Sequence, residues 1–555
     1  MKKLTQIRVP TDSQEPLERI AAQQLRVSPR QIAFVKVVKR SLDARKKPQL
    51  FYVYTLEVYE VGEPLPPEAI VASAQGEAAS REQALSSHTG EAQGLVKVST
   101  SEPMTPAARE VLPQLQWRGT RPILVGAGPG GLFAALRLLD HGLPCVLFER
   151  GAEVHPRTVR INMYWRKGEL HPDSNVCSGE GGAGLFSDGK LITRIKSPYI
   201  QYVLQRLVDF GAPPEILYVH NPHVGSDRLR KVIKRMVAHL REAGCELHYE
   251  TPVERLLLDE QRRIQGVELR DGRRFESRRV LLATGHSARD LYRTLGEQGV
   301  TLEAKPFAMG LRIEHPQRLI NQMQLGQEDP GELGAAQYRL AWNTDTTSVY
   351  SFCMCPGGYV LSSGTEADGV VSNGMSNYHR SSKWANSALV VPVKPEHVPG
   401  DDPYRLLDFQ RAVEHRAWSA VQAAGGGHQL PAQRLVDFLA HKHSTSLPTV
   451  SSPSGACAVP LHALLPDFVA TSLSQSFARF DRQMRGFIHP DAVLMGIESR
   501  TSAPLRIPRD SGSLESLNTP GLYPVGEGAG YAGGITSAAV DGIRAVNAIL
   551  QAEFG

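Results

Sequence analysis

The sequence predicts an α/β fold that contains a Rossmann-type nucleotide-binding domain. Three observations predict it. Residues 123–139 read as an apolar strand, a glycine-rich turn and an apolar-striped helix that ends before Gly142. A second apolar strand at residues 144–148 ends next to an acidic residue, and residues 518–542 read as a strand, a glycine-rich turn and the start of a helix. Strands that alternate with helices are typical of a parallel sheet.

Composition and length are those of a globular chain with several domains. The chain has 555 residues, of which 41% are hydrophobic and 21% charged, so two or three domains are expected. No run of 18 apolar residues predicts a membrane span, and the first residues lack the apolar core of a secretory signal. The six cysteines follow neither a disulfide pattern nor a zinc spacing, which predicts a cytoplasmic protein without a metal site.

Five segments are expected along the chain. Residues 72–105 are rich in Ala, Ser, Glu, Gln and Gly, and such a segment buries too little apolar surface to fold. The prediction is a small basic α/β domain (1–71), a linker (72–117), the first part of the nucleotide-binding domain (118–305), an inserted strand-rich and helical substrate domain (306–487) and the last part of the nucleotide-binding domain (488–555).

Periodicity predicts the first elements individually. Strands are expected at residues 4–9, 32–38 and 50–58, with a helix at residues 16–25. A longer helix is expected at residues 226–243, ahead of Gly244, and a hairpin turn at Asp271-Gly272.

The turn after the first apolar strand has the G-x-G-x-x-G spacing of a dinucleotide-binding site. Gly126 allows the tight turn, Gly128 lets the backbone approach a pyrophosphate, and Gly131 lets the helix pack closely on the strand. The N–H groups at the start of the helix then face the phosphates. The predicted phosphate contacts are Gly126, Gly128, Pro129, Gly130 and Gly131.

An acidic residue stands where the ribose hydroxyls should bind. Glu149 follows the second strand, 18 residues after Gly131, and is expected to accept hydrogen bonds from an adenosine ribose. A carboxylate there would repel a 2′-phosphate, which argues against NADP at this site. Arg150, the next residue, is included in the predicted site.

The C-terminal segment indicates which dinucleotide binds. Residues 518–542 resemble the segment that closes over FAD in flavoproteins, where an acid contacts the ribityl chain and phosphate. The helix that follows would point its N-terminus at the flavin ring and stabilise negative charge on the reduced ring. The sequence therefore predicts FAD, with contacts from Gly526, Glu527, Gly534, Ile535 and Thr536.

Two further segments fit an FAD site. The apolar strand at residues 280–283 ends in Thr284 and Gly285, like the strand that returns beneath the adenosine half in FAD enzymes. A glycine-rich stretch at residues 179–191 is expected to run beside the isoalloxazine ring. Its predicted contacts are Gly182, Ala183, Gly184, Ser187 and Lys190.

Together these residues resemble a family of bacterial proteins known only as uncharacterised FAD-dependent dehydrogenases, distant relatives of glutathione-reductase-type flavoproteins. The matching stretches are residues 39–45, 179–191, 352–358, 373–376, 498–502 and 526–542. The resemblance implies an FAD-dependent oxidoreductase whose substrate is not established.

Two sets of residues are candidates for the reaction itself. Cys353 and Cys355, alternate residues of a predicted strand, would place both thiols on one face, either as a redox pair or as small core residues. Their spacing is not the C-x-x-C or C-x-x-x-x-C of well-known flavin–disulfide enzymes, and Cys177 is a further lone thiol. The candidates for binding an anionic, small-molecule substrate are Arg312, His315, His379, Arg380 and Arg500. Arg500 is preferred because it precedes the C-terminal flavin segment.

The positive charge is concentrated at the N-terminus. The first 50 residues carry a net charge of +8, against +5 for the whole chain, and most of it lies in residues 36–47. This run is either solvated surface or a docking patch for RNA or an acidic electron-transfer protein. An RNA-modifying flavoenzyme and a flavin redox sensor therefore stay open beside a reductase or dehydrogenase. With no second complete dinucleotide fold, NADH or NADPH is expected to bind only transiently, at the flavin face.

Overall fold

The computed structural model describes residues 1–45, 47, 49–66, 69, 112–117 and 119–554. Apart from residues 112–117, the predicted linker lies outside the described residues. The chain divides into two compact units, one within Met1–Val111 and Leu204–Pro222, the other within Leu112–Val203 and His223–Gly555. Throughout the described residues, every helix is too short or too polar to cross a membrane.

The first unit is a three-stranded antiparallel sheet with one helix on it. It comprises β1 (Lys2–Pro10), α1 (Leu17–Leu25), β2 (Ile32–Asp43) and β3 (Phe51–Glu60), in the sheet order β1-β3-β2. Ala21 of α1 packs on Leu56 and Val58 of β3, which are fully buried. The elements predicted for this region are confirmed, each within a few residues.

A distant part of the sequence extends the sheet of the first unit. The backbone N–H of Arg40 in β2 donates to the carbonyl of Tyr218 at 3.0 Å, and its carbonyl accepts from the N–H of His220 at 2.9 Å. Residues 218–220 therefore cover the edge of β2, which removes an exposed strand edge.

The nucleotide-binding half of the second unit alternates strands and helices. In chain order its elements are β4 (Ile123–Val125), α2 (Pro129–Asp140), β5 (Val146–Phe148), α3 (Val154–Lys167), α4 (Tyr199–Asp209, which ends in the first unit), α5 (Ser226–Glu242), β6 (Glu246–His248), β7 (Val253–Leu258), β8 (Ile264–Leu269), β9 (Arg274–Glu276), β10 (Val280–Leu282), α6 (Arg289–Glu297) and β11 (Glu303–Ala304). The helix and hairpin predicted at residues 226–243 and 271–272 are confirmed as α5 and the β8–β9 turn.

The remaining elements begin with an antiparallel sheet and end in a long helix. They are β12 (Phe307–Pro316), α7 (Gln317–Leu325), β13 (Ala341–Asn343), β14 (Ser348–Cys355), β15 (Gly358–Ser362), β16 (Ser372–Ser376), β17 (Trp384–Val393), α8 (Arg405–Ala423), β18 (Leu430–Arg434), α9 (Leu435–Leu439), β19 (Ala456–Ala458), α10 (Asp467–Gln483), β20 (Val493–Glu498), β21 (Leu505–Arg506), β22 (Leu522–Pro524) and α11 (Ile535–Phe554).

A parallel sheet of five strands, in the order β22-β10-β4-β5-β6, forms the centre of the nucleotide-binding half. β4, β10 and β22 are buried along their whole length, which suits the continuous apolar runs of parallel strands. α2 and α11 cross closely at Gly130 and Gly542. A Cβ added to Gly542 would lie 2.2 Å from the carbonyl oxygen of Gly130, so only glycine fits there. The predicted α/β fold is confirmed, and its parallel sheet is assembled from both ends of the second unit.

A mixed sheet of seven strands, here called the cap sheet, follows in the order β13-β14-β17-β12-β20-β18-β19. β20 pairs with β12 and β18, so the predicted boundary at residue 488 falls before a strand that belongs to this sheet. The stretch at 403–487 is the last part of the domain predicted to be strand-rich and helical. It holds α8, α9 and α10, and also the parallel strands β18 and β19.

A chain that lacks residues 1–105 is expected to retain FAD, because every predicted cofactor contact lies in the second unit. The deletion removes the strand partner of residues 218–220, so the thermal midpoint should fall while the flavin content stays near one per chain. Flavin absorbance and circular dichroism on the same sample check this. A truncated chain that is folded but colourless would contradict it.

Candidate functional site

The site is a crevice at the carboxyl ends of β4 and β10. The chain leaves β4 towards β5 on one side, whereas β10 pairs with β4 on the other side. Ligands of open α/β sheets bind at such a reversal of strand order. Gly126 follows β4 and Ala283 follows β10, so these two turns face each other across the crevice.

The glycines of the β4–α2 turn are required by the backbone geometry. Gly126 has a φ of +109°, and a Cβ there would lie 2.4 Å from the carbonyl oxygen of Ala283. A Cβ on Gly131 would lie 1.9 Å from the carbonyl oxygen of Gly126. Pro129 opens α2 directly after Gly128, so the unpaired N–H groups of the first helical turn point out of the crevice floor.

The carboxylate of Glu149 lies beside this turn. It is 5% exposed, and it accepts the N–H of Ala127 and the N–H of Gly151, each at 2.8 Å. A carboxylate offers about four lone-pair sites, so acceptor sites remain for two ribose hydroxyls. The neighbouring Arg150 instead forms ion pairs with Asp173 and Asp290, at 2.7 and 2.6 Å, so its contact with a cofactor stays a prediction.

The glycine-rich stretch runs between the β4–α2 turn and α11. Gly181 donates its N–H to the carbonyl of Ala127 at 2.8 Å, and a Cβ on Gly182 would lie 3.0 Å from Cα of Gly128. Further along, a Cβ on Gly184 would lie 2.9 Å from Cγ1 of Ile535, the first residue of α11. Ala183 and Gly184 form a short 3-10 turn, and Ser187 closes it by donating to the carbonyl of Gly184 at 2.7 Å.

A buried arginine that the sequence analysis missed holds this stretch in place. The guanidinium of Arg157, fully buried on α3, donates to the carbonyls of Asn175, Val176 and Glu180 at 3.0, 2.9 and 2.6 Å. Burial lowers the pKa of Arg157 to about 10, so it remains charged at neutral pH. No local pattern distinguishes Arg157 from its solvated neighbours on α3, because its partners lie about 20 residues away.

The C-terminal segment closes the crevice on the other side. Asp541 accepts the N–H of Gly526 at 2.8 Å and is fixed by Arg509 at 2.6 Å. Thr536 donates its hydroxyl to the carbonyl of Leu191 at 2.8 Å, which joins the first turn of α11 to the glycine-rich stretch. Gly534 has a φ of +117° and no atom within 4 Å of an added Cβ, so the N-terminus of α11 opens into free space.

Glu527 is a titratable group in the same segment. Its side chain is half-buried, and burial raises the pKa of its carboxyl to about 7, which the charge of Lys305 only partly offsets. Glu527 is therefore poised to hold or release a proton near neutral pH, where an ordinary glutamate would be fully ionised.

The turns after β10 and β22 are joined by Tyr292. Its hydroxyl lies 3.0 Å from the carbonyl of Gly285 and 2.9 Å from that of Gly528. Thr284 and Gly285 are half-buried, and Gly285 has a φ of +73° with open space beside it. Tyr292 lies on α6 at ordinary core spacing, so sequence reasoning had no reason to single it out.

These residues fit FAD. Most of the predicted contacts surround one continuous crevice and are half-buried, as expected for backbone that a ligand covers. At one end lie the carboxylate of Glu149 and the open turn of α2, suited to a ribose and a pyrophosphate. At the other lie the glycine-rich stretch and the open N-terminus of α11, suited to an electron-accepting ring. In the described part of the chain, no cluster of His, Cys, Asp or Glu side chains could hold a metal ion.

Comparison with known families agrees with this geometry. Residues 306–501 match a family described as "FAD-dependent protein, C-terminal domain-like", and residues 210–318 match a family described as "FAD binding domain". Residues 1–59 match a domain of unknown function, DUF8436. A protein of Clostridium beijerinckii, described as an uncharacterized protein, is 38% identical over 546 residues, which are 97% of this chain and 96% of the relative.

The chain belongs to the same family of FAD-dependent proteins. FAD is its cofactor, as the sequence predicted. The closer link to glutathione-reductase-type flavoproteins stays a prediction. Solved structures with low similarity to this chain include the flavin-dependent brominase Bmp2 (12% identity, TM-score 0.36, 78% of this chain and 79% of that chain) and CtdE in complex with FAD (10% identity, TM-score 0.29, 77% of this chain and 83% of that chain). Likenesses this low carry no conclusion about the reaction.

In this FAD-dependent protein, Arg500 lies beside the crevice but is bound internally. It is bidentate to Glu414 at 3.1 and 2.9 Å, and its third nitrogen donates to Ser287 and Thr365 at 3.0 and 2.7 Å. Glu414 also binds Arg289 at 2.9 Å. Each nitrogen of the Arg500 guanidinium is thus engaged, and its role as an anion-binding or catalytic group stays a prediction.

The other anion-binding candidates are spread over the family's C-terminal domain. Arg312 is fully buried against Glu498 at 2.5 Å, and Arg380 pairs with Asp188 at 2.6 Å. His315 is fully buried, with Nε2 2.8 Å from the carbonyl of Phe487. His379 is exposed. The structure therefore does not bring these candidates together with Arg500 in one cluster.

The cysteines lie closer to the FAD site. Lys190 of the glycine-rich stretch donates to the carbonyl of Met354, between Cys353 and Cys355 in β14. Strand alternation breaks there, because the β14–β17 register shifts between Phe352 and Cys355, but the two thiols remain neighbours. The thiol of Cys177 lies 3.7 Å from the carbonyl of Ser363. All six cysteines of the chain are free thiols.

Proposed function

We propose that the protein is a reductase or dehydrogenase that passes a hydride or electrons between FAD and a small-molecule substrate. The observation that carries the proposal is the open N-terminus of α11 at Gly534, opposite the glycine-rich stretch. The positive end of a helix dipole aimed at a bound ring stabilises the negative charge that the ring gains on reduction. A protein that merely stored the flavin would gain nothing from this arrangement.

The residues around the ring position then have distinct roles. FAD supplies the two-electron chemistry when bound. Glu527, with its raised pKa, holds a proton near neutral pH, which it can donate to a substrate that has accepted a hydride. Lys305 lies close enough to Glu527 to oppose the rise in its pKa, so it also places positive charge at this end of the crevice. The cap sheet, which holds Lys190 through Met354, limits the access of water.

Nicotinamide nucleotides are proposed to donate electrons from the same face of the crevice. In the part of the chain that the structure describes, one five-stranded parallel sheet carries a G-x-G-x-x-G turn, and FAD uses it. NADH or NADPH therefore binds and leaves before the substrate enters, which gives ping-pong kinetics. The free thiols of all six cysteines suit a reducing cytoplasm.

Stopped-flow reduction under anaerobic conditions tests this proposal. Mixing the oxidised holoprotein with NADH or NADPH should bleach the flavin band in a single saturable phase, and steady-state plots at several donor concentrations should be parallel. The matched control omits the nucleotide. A ternary complex that holds NADPH and substrate together, or a flavin that no donor reduces, would contradict the proposal.

A second candidate, recognition of RNA or an acidic electron-transfer protein, is favoured by one face of the first unit. Register places Arg8, Lys36 and Lys39 on the same face of the antiparallel sheet, beside the ring pair of Phe34 and Tyr59. Binding through this face would weaken as salt is added. Salt-independent flavin reduction by NADH alone would favour the first candidate.

A further inference from the structure

β14 ends in a strained bulge that contains two cysteines. Cys353 has a φ of +45°, and the pairing of β14 with β17 is interrupted around it. Few non-glycine residues adopt positive φ, and those that do are held there by their surroundings, most often at functional sites. Packing of a small core residue does not require a positive φ, so packing alone does not explain the conformation of Cys353.

The two thiols differ in access. Cys355 is fully buried, and its thiol donates to the carbonyl of Cys353 at 3.3 Å, whereas Cys353 is half-buried. Cys353 is therefore the more accessible residue of the pair, and Cys355 is enclosed. This is the arrangement that thiol–disulfide exchange needs, with an attacking thiol and a resolving thiol.

Two cationic side chains bind the backbone of this bulge. Lys190 donates to the carbonyl of Met354, and Arg312 donates to the carbonyl of Cys353 at 3.3 Å. Asp188 and Glu498 hold these cations at 2.7 and 2.5 Å, and Arg380 also binds Asp188. The thiol of Cys355, Lys190 and Arg312 together lower the pKa of Cys353, which favours its thiolate.

The pair lies at the flavin end of the crevice. Lys190 is followed by Leu191, whose carbonyl accepts the hydroxyl of Thr536 in the first turn of α11. Cys353 is also near enough to Glu527 to contribute to the raised pKa of that carboxyl. The elements that hold the thiols are thus in contact with the elements that would hold the flavin ring.

We propose that Cys353 and Cys355 are a redox-active pair that carries two electrons from the reduced flavin to a disulfide substrate. The proposal deepens the oxidoreductase function above and rests on it. The thiolate of Cys353 attacks one sulfur of the substrate disulfide, forms a mixed disulfide and releases one thiol. Cys355 loses its proton, attacks the sulfur of Cys353, and releases the second thiol as the Cys353–Cys355 bond closes. Reduced FAD, when bound, would supply the two electrons and two protons that open this bond and restore both thiols.

Disulfide mapping on the full-length holoprotein tests the pair without an activity assay. After equilibration with oxidised and reduced glutathione, differential alkylation and peptide mass spectrometry should show one Cys353–Cys355 disulfide that forms and opens reversibly. Cys353→Ser and Cys355→Ser should abolish it, and Cys457→Ser, which alters a partly buried thiol in β19, should not. Absence of this disulfide in the wild-type protein under oxidising conditions overturns the proposal, whatever the variants do.

Anaerobic dithionite titration separates this proposal from the oxidoreductase function. Preoxidised wild-type protein and Cys457→Ser should each take up four electrons per chain, and Cys355→Ser only two. Uptake of two electrons by the wild-type protein would overturn the thiol proposal while leaving the flavin chemistry intact. Dithionite reduces the flavin directly, so a failure of NADH or NADPH to do so would count against the proposed function alone.

Discussion

Replacing Gly131 by alanine is expected to give a protein that purifies largely without its yellow colour. The added methyl group would lie 1.9 Å from the carbonyl oxygen of Gly126, which is backbone and has no side chain to rotate away. Relief of the clash moves the turn that approaches the pyrophosphate. Overpacking of this kind costs about 1–3 kcal/mol, or roughly a fivefold to hundredfold loss of affinity for FAD.

Titration of the flavin-free protein with FAD, followed by flavin fluorescence, measures that loss of affinity. Flavin released by heating the wild-type protein is then identified as FAD. Gly427→Ala is the matched control, because an added Cβ there meets no atom within 4 Å and Gly427 has no positive φ. Wild-type affinity in Gly131→Ala would show that FAD does not bind at the β4–α2 turn.

Glu414→Gln should strongly destabilise the second unit. Glu414 is 1% exposed and holds two buried guanidinium groups, those of Arg289 and Arg500, together with the hydroxyl of Ser499. Neutralising it leaves the buried Arg500 without a counter-charge and leaves Arg289 with only the partly exposed Glu366. Breaking such a pair costs about 3–5 kcal/mol, and the loss should appear in the free energy of unfolding measured with FAD in excess.

The control for Glu414 is Glu366→Gln. Glu366 also pairs with Arg289, at 3.1 Å, but its side chain is 27% exposed, so the change should cost about 1 kcal/mol or less. Equal losses in both variants would show that burial is not what makes the Glu414 network stabilising.

Acid should remove the stabilisation that Glu414 provides. Burial alone would raise the pKa of Glu414, but Arg500 and Arg289 outweigh it and hold that pKa near 2, below the ordinary 4.5. A carboxyl whose pKa is lower in the folded state stabilises the protein above the ordinary pKa and loses this effect as the pH falls. The difference in unfolding free energy between wild type and Glu414→Gln should therefore shrink between about pH 4.5 and 2.

The geometry of the candidate FAD site was predictable where it is local. A tight turn and a helix start are built from neighbours in the chain. The turn at Gly126 to Gly131 and the segment before α11 can therefore each be recognised from a pattern of about 20 residues. The carboxylate of Glu149 follows from its spacing for the same reason.

The supporting contacts were not predictable, since they join residues far apart in sequence. Arg157 and Arg500 cannot be told apart in the sequence. In the structure Arg157 donates to backbone carbonyls, whereas Arg500 pairs with Glu414 on α8, 86 residues away. Likewise, nothing local indicates that residues 218–220 complete the edge of β2. Such contacts depend on the assembled fold, which a pattern of hydrophobic and glycine residues specifies only coarsely.

The place of β22 in the parallel sheet has a consequence for how the protein is made. β22 pairs with β10, and α11 crosses α2, so one wall of the crevice is made by residues 522–554, far along the chain from the β4–α2 turn. Hundreds of residues are exposed before that wall exists, and partly synthesised domains with unpaired strand edges are prone to aggregate. Cofactor capture therefore requires both distant segments, and retention of the yellow colour reports that β22 and α11 have joined the sheet.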